Sequence, residues 1–126
     1  MKIFVVEDNK ERNGVFWNTL PKIFADCHLV IAEDAKEAKE ILSKDKQWDI
    51  ILLDHDLGGR VFVDSNDDNT GYQVAKFIVE NKISYQLAIA HTMNRVGSDN
   101  IISVLPDCKR VPFPMLINYL MGVREI

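Results

Sequence analysis

With 126 residues, 47% of them hydrophobic, the chain has enough material for one core, and a single domain over residues 1–126 is expected. A net charge of -4 argues against broad electrostatic adhesion to nucleic acid or anionic membrane, leaving only a local patch at Lys109, Arg110 and Arg124 that could meet an RNA end. No apolar run approaches the roughly 20 residues of a membrane helix and no secretory leader pattern opens the chain, so a cytoplasmic protein without membrane association is expected.

Strand-like stretches recur at residues 2–7, 28–32, 49–54, 86–91 and 109–113, and the intervals between them carry mostly helical spacing. Such alternation predicts an α/β fold, a parallel sheet with helices on both faces. After the first strand, Val15, Phe16, Thr19, Leu20, Ile23 and Phe24 form a candidate buried stripe, which Gly14 and Pro21 should weaken or kink. Trp17, Trp48, Phe16, Phe24 and Phe77 fit core packing. Cys27 and Cys108 lack metal or redox spacing and read as small apolar side chains, while His28 reads as structural.

The second helix is signalled by Asp34 as cap, Glu37 three places on, and Ala35, Ala38, Ile41 and Leu42 on one face. Thr70 and Gln73 repeat that pattern before Val74, Phe77 and Ile78. A short fourth helix is expected over residues 99–104, and a fifth from Pro114 through Leu116, Tyr119 and Leu120. Residues 58–69 break the rhythm. Connections in such units usually take about 2 to 6 residues, so this one is either a lid or small hairpin over a site, or a tolerated surface excursion. Its aspartates, Asp64, Asp67 and Asp68, lack the glycine and closing glutamate of a calcium loop.

The chemistry gathers where strands end. Ile-Phe-Val-Val runs into Glu7-Asp8, and Ile-Ile-Leu-Leu runs into Asp54-His55-Asp56. In open parallel sheets ligands bind in the crevice beyond the strands' carboxyl ends. A flavodoxin-like order 2-1-3-4-5 makes the first and third strands neighbours and brings Glu7, Asp8, Asp54 and Asp56 into one crevice. Two carboxylates about 5 Å apart at an effective dielectric near 20 repel by roughly 3 kcal/mol. Such a cluster needs a cation, a shared proton or a basic partner. No lysine or arginine stands at either strand end, so Mg2+ is the natural complement, with open positions for water and phosphate oxygens. The plainer alternative has Glu7 and Asp8 facing solvent and capping the first helix.

The fourth strand ends in Ala90-His91-Thr92, with Asn94 two residues on, and is expected to border the same crevice. Neighbouring acids should raise the His91 pKa and make it a cation and proton carrier, and the Thr92 hydroxyl can donate to a phosphate oxygen. Strand alternation points His55 away from Asp54 and Asp56, towards a helix or the long loop.

These residues carry a resemblance. The acidic pair Glu7-Asp8, the third-strand Asp54 and the fourth-strand Thr92 together resemble a response-regulator receiver domain over the whole chain. The resemblance implies a CheY-like, three-layer flavodoxin-type sandwich, Mg2+ on the acids, phosphoryl transfer from a histidine kinase to Asp54, and contact of Thr92 with the phosphate. A lysine before a proline after the fifth strand completes the receiver pattern, but here the pair is Phe113-Pro114. That departure, with the extra polar residues of Asp54-His55-Asp56-Leu57-Gly58 and His91-Thr92-Met93-Asn94, is similar to the cyclic-phosphate processing receiver-like domains of phage and bacterial conflict or RNA-repair settings. By that likeness Glu7, Asp8, Asp54 and Asp56 are metal ligands, and Asp54, His91, Thr92, Asn94 and His55 are catalytic candidates. Three readings are open. The chain is a Mg2+-dependent enzyme acting on a cyclic-ended RNA or nucleotide, a phosphoacceptor in a phosphorelay, or a degenerate receiver that binds a partner protein.

Overall fold

The computed structural model describes residues 1–123; Arg124, one member of the expected basic patch, lies outside them. The elements run β1 (Lys2–Val6), α1 (Lys10–Ile23), β2 (His28–Ala32), α2 (Ala35–Lys44), β3 (Ile50–Leu53), α3 (Gly71–Glu80), β4 (Leu87–Ala90), α4 (Arg95–Val104), β5 (Lys109–Arg110) and α5 (Phe113–Val123). All strand pairs are parallel, in the order β2-β1-β3-β4-β5, as expected. Helices α1 and α5 cover one face and α2, α3 and α4 the other, giving the three-layer sandwich. Among the described residues no helix is long and apolar enough to cross a membrane.

Alternation along the strands sorts the side chains. Ile3, Val5, Ile50, Leu52 and Ile89 pack with Phe16 and Leu20 of α1 and Leu116 and Leu120 of α5. Phe4, Val6, Ile51, Leu53, Ala88 and Ala90 pack with Leu42, Val74, Ile78 and Ile101 from the opposite layer. The centre of the sheet is covered on both sides, which is why β1 and β3 are unbroken aliphatic runs. Register sets the level at which the polar residues emerge. Val6 pairs with Leu53, and Leu53 with Ala90, so Glu7, Asp54 and His91 leave three adjacent strands at one height.

The caps read from the sequence are present. Asp34 accepts from the Glu37 N–H at 2.7 Å, and Glu37 accepts from the Glu33 N–H at 2.9 Å. At α3 the pattern is half made: Thr70 accepts from the Gln73 N–H at 3.4 Å, but the Gln73 amide turns to the Ser65 carbonyl instead. Four expectations need correction. Helix α1 is continuous, because Pro21 falls in its last turn, where it disturbs little. Its buried face is Asn13, Phe16 and Leu20, at spacings of three and four, which leaves Val15 and Trp17 exposed and not in the core. Helix α4 starts at Arg95, four residues earlier than expected, because Asn94 caps it by accepting from the Gly97 N–H. Strand β5 has two residues, since α5 begins at Phe113.

Residues 58–69 form no hairpin. The segment closes through a single antiparallel bridge, Asp56 to Thr70, as compact surface loops with adjacent ends do. It turns at Gly58 and Gly59, both in the left-handed region, and Arg60 clamps it by pairing with Asp67. Its exit is tight: the Gly71 N–H donates to the His55 carbonyl at 2.9 Å, and a Cβ on Gly71 would collide with the Asp54 carbonyl oxygen. Overpacking of this kind typically costs about 1–3 kcal/mol. Gly71→Ala should therefore lower unfolding stability by about 3 kcal/mol, read from urea denaturation, since α3 must move off the end of β3. An unchanged midpoint would refute the close approach.

Candidate functional site

Side-chain alternation does not stop where the strands do. Glu7, Asp54 and His91 continue the face that packs on α1 and α5, and all three are buried. One ligand atom from each lies within 4.8 Å of the others. The Glu7 and Asp54 carboxyls are hydrogen-bonded to one another, and His91 Nε2 lies 2.9 Å from Glu7 Oε1. Glu7 also accepts from the Asn9 N–H at 3.2 Å and lies 3.5 Å from the Arg12 guanidinium. Asp54 accepts from the His55 N–H at 2.9 Å.

Burial dominates the ionisation of this group. It raises the Glu7 carboxyl above its ordinary range, against the hydrogen bonds from Asp54 and Asn9 and the charge of Arg12. It pushes Asp54 up to about 7, with the His91 charge opposing and the neighbouring Glu7 adding to the rise. Two carboxyls this close share a proton when no cation is between them. Desolvation also drives His91 down to about 4, which overturns the expectation of a raised pKa: the imidazole is wholly enclosed, and the Asp54 charge only partly offsets that. A neutral imidazole donating from Nε2 to Glu7 leaves Nδ1 without a partner, as observed among the described residues.

His91 therefore does not border the crevice. Phe16 stands edge-on to its ring at 5.6 Å, and Phe113, whose N–H donates to the His91 carbonyl at 2.9 Å, closes the other side at 6.4 Å between centroids. The open crevice, about 260 Å³, is lined by Glu7, Asp8, Arg12, Asp54, Asp56 and Thr92, with Gly59, Arg60 and Val61 overhanging from the loop. The loop is thus beside the site, tied down by acids: Asp8 accepts from the Gly59 N–H at 2.5 Å, and Asp56 from the Phe62 and Val63 N–H groups at 2.7 and 3.1 Å.

Asp8, His55 and Thr92 carry the other parity. Thr92 Oγ1 accepts from the Asn94 N–H at 3.0 Å. Asn94 caps α4 with its carbonyl and donates its amide to Asp56 at 3.0 Å. His55 is fully buried under Gly97, between Asp56 and Ser65, each at 2.8 Å, so it meets both the helix and the loop and does not line the crevice. Burial works against the Asp56 charge, but hydrogen bonds from Asn94, His55 and the loop outweigh it and hold the carboxyl below its ordinary range. Of the basic patch, Arg110 is engaged by Ser98 and Asp99 of α4.

A profile of the cyclic-phosphate processing receiver domain matches residues 1–107. The chain belongs to this family. This chain is also similar in structure to response regulators. Against the phosphorylated cyanobacterial phytochrome response regulator RcpA the TM-score is 0.71 at 21% identity, over 98% of this chain and 91% of that one. The Mn2+-bound form of response regulator Rcp1 gives 0.69 at 18%, over 99% and 92%. The signal receiver domain of a DNA-binding response regulator from Colwellia psychrerythraea gives 0.70 at 20%, over 100% and 99%. At these identities the likeness shows the fold. No match is found among proteins of curated function.

The residue missed in the sequence is Arg12. It is absent from both strand ends, yet it stands in the first turn of α1, whose cap Asn9 accepts the Arg12 N–H at 3.0 Å, and its side chain reaches the crevice. The available signal was an arginine three places after a capping asparagine at a strand end. The donor set itself, two buried carboxylates sharing a proton beside an open crevice, fits a hard divalent cation. In the metal-free protein the Asp54 carboxyl carbon should titrate near 7 by NMR, and Mg2+ should lower that midpoint because a dication favours the carboxylate. Mg2+ affinity then rises with pH up to about 7 and levels off above it. A metal-free midpoint at the ordinary 3.8 would contradict the burial argument.

Proposed function

We propose that this domain is a Mg2+-dependent phosphate-processing enzyme that opens cyclic phosphates at RNA or nucleotide ends. The observation that carries the reading is the pairing of buried Glu7 and Asp54 at adjoining strand tips in a crevice that Thr92 also lines, with Phe113 where a phosphorelay receiver has its lysine. Glu7 and Asp54 would hold the ion, and Asp8 and Asp56, which line the same crevice, would add negative charge. Bound there, Mg2+ supplies Lewis-acid polarisation of a phosphate oxygen.

The chain's own residues do the rest. Thr92 Oγ1 accepts from Asn94, so its hydroxyl proton is available to a phosphate oxygen. His91 acts through Glu7: its Nε2–H fixes Oε1, which makes it a positioning residue and not a proton carrier in contact with substrate. Asn94 and His55 are likewise positioning residues, holding Asp56 and the loop. Water adds to phosphorus, one ring P–O bond breaks, and the proton that the water gives up ends on the freed sugar oxygen.

The second reading makes Asp54 a phosphoacceptor. Its carboxyl lines the crevice at the end of β3 with Thr92 also on the wall, an arrangement that suits in-line attack on a small phosphodonor. One pair of experiments separates the two. With Mg2+ and 2',3'-cyclic AMP, 31P NMR should show ring opening by the wild type, reduced on the order of 100-fold or more by Asp54→Asn. His91→Asn should raise the Mg2+ concentration needed for half-maximal rate more than it lowers the rate at saturation, as loss of a group behind a metal ligand does. Absence of turnover, together with a one-phosphoryl mass increase at Asp54 on treatment with acetyl phosphate, would replace the enzyme reading with the phosphoacceptor.

A further inference from the structure

Two arginines reach the crevice, and their circumstances differ. Arg60 is engaged: its guanidinium donates to Asp67 at 3.0 and 3.2 Å, to the Leu57 carbonyl at 3.1 Å and to the Asn69 carbonyl at 3.4 Å. It holds the loop together. Arg12 donates no side-chain hydrogen bond to any of the described residues, and its nearest carboxylate, Glu7, is 3.5 Å away. Its side chain is 28% exposed, so the charge is partly desolvated, and beyond the Nη1 ion pair with Glu7 its donors have no partner among the described residues.

Arg12 is nonetheless held in place. Its guanidinium carbon lies 4.9 Å from the centre of the Phe113 ring. That ring is itself fixed, edge-on to Phe16 at 5.7 Å and anchored through its N–H to the His91 carbonyl. A guanidinium stacks well on an aromatic face because it is planar and weakly hydrated, and stacking leaves its edge donors pointing outward. Phe113 is the residue that stands where the receiver resemblance places a lysine. The cation is therefore present in the crevice, carried by α1 and using that phenylalanine as its platform.

We infer that Arg12, braced on Phe113, is the phosphate-recognising cation of this crevice, and that the ligand is a phosphate ester presenting two unesterified oxygens to its fork. The inference rests on the proposed phosphate chemistry and specifies how the anion is recognised. Charge makes the case. Glu7 and Asp54 together balance one dication, and Asp8 and Asp56 add further negative charge, so a phosphate approaching the metal-loaded crevice needs a fixed positive group. A fork that can bond two oxygens at once supplies orientation as well as charge. The crevice volume, about 260 Å³, suits a phosphate and part of a sugar better than a whole nucleotide.

The test is calorimetric titration of inorganic phosphate into Mg2+-saturated protein, with Mg2+ affinity measured separately. Arg12→Ala should weaken phosphate binding at least tenfold while leaving Mg2+ affinity equal or tighter, because a cation near Glu7 has been removed. In the double variant Arg12→Ala with Phe113→Lys, the amine at the receiver position should recover part of the lost phosphate affinity. Phosphate binding by Arg12→Ala equal to wild type overturns the inference and leaves the phosphate-processing reading intact. A parallel loss of Mg2+ and phosphate affinity also overturns it, since Arg12 would then only organise Glu7. If the wild type with Mg2+ bound takes no phosphate, the inference and the reading fall together.

Discussion

The site is governed by a register. Because β1, β3 and β4 run in parallel with Val6, Leu53 and Ala90 aligned, the next residue on each strand projects to the same side at the same height, under α1 and α5. Two of those residues are carboxylic acids and the third is a histidine, enclosed with almost no water contact. An apolar enclosure cannot hold two unpaired negative charges without a large desolvation cost. Without a cation a shared proton relieves that cost, and under the proposed reading a divalent cation would take the proton's place.

Protonation follows from that enclosure in a balanced way. Asp54 is shifted upward to about 7, so its neutral form stabilises the fold fully below the ordinary 3.8 and this contribution is lost as pH rises through 7. His91 is shifted downward to about 4, so its contribution is present above the ordinary 6.5 and is lost as pH falls towards 4. Between about 4 and 6.5 the two slopes have opposite sign and offset each other. In that window burial favours the neutral imidazole and the neutral carboxyl, because either ion would face a low dielectric. The histidine then serves as a neutral donor that aims Glu7, in the manner of outer groups that orient metal ligands.

Much of this was legible in the sequence because it depends on local rules. The aliphatic runs at residues 3–6 and 50–53 gave the buried parallel strands, Asp34 and Thr70 gave two helix starts, and the acids at the strand tips gave the crevice. What escaped depends on directions in space. Whether His91 faces solvent or the underside of Phe113 is decided by the path of the chain after β5, which linear spacing does not encode. Arg12 was hidden for a similar reason: a long side chain in the first turn of α1 can lean back over a neighbouring strand end, and only the fold says that it does. Trp17 reads as a core residue because tryptophan is highly buried on average, but it projects about 100° round α1 from Phe16, off the stripe of Asn13, Phe16 and Leu20 that faces the sheet.

The connections around Thr92 bear on whether this crevice is a switch or a fixed surface. Moving the Thr92 hydroxyl towards a phosphate would withdraw it from the Asn94 N–H, and Asn94 is at once the cap of α4 and the donor that fixes Asp56. Asp56 in turn anchors the loop backbone at Phe62 and Val63 and pairs with His55, which is wedged beneath Gly97. Losing a helix cap costs about 1 kcal/mol, and each buried polar group left without a partner adds roughly 1–3 kcal/mol. Withdrawing the Thr92 hydroxyl avoids most of those costs: it breaks one bond, from the Asn94 backbone N–H, and leaves the Asn94 side chain on Gly97 and Asp56 and the loop on Asp56. The acidic wall and the loop therefore stay fixed whichever way Thr92 turns, and under the proposed reading that fixed wall is what would position a phosphate for chemistry.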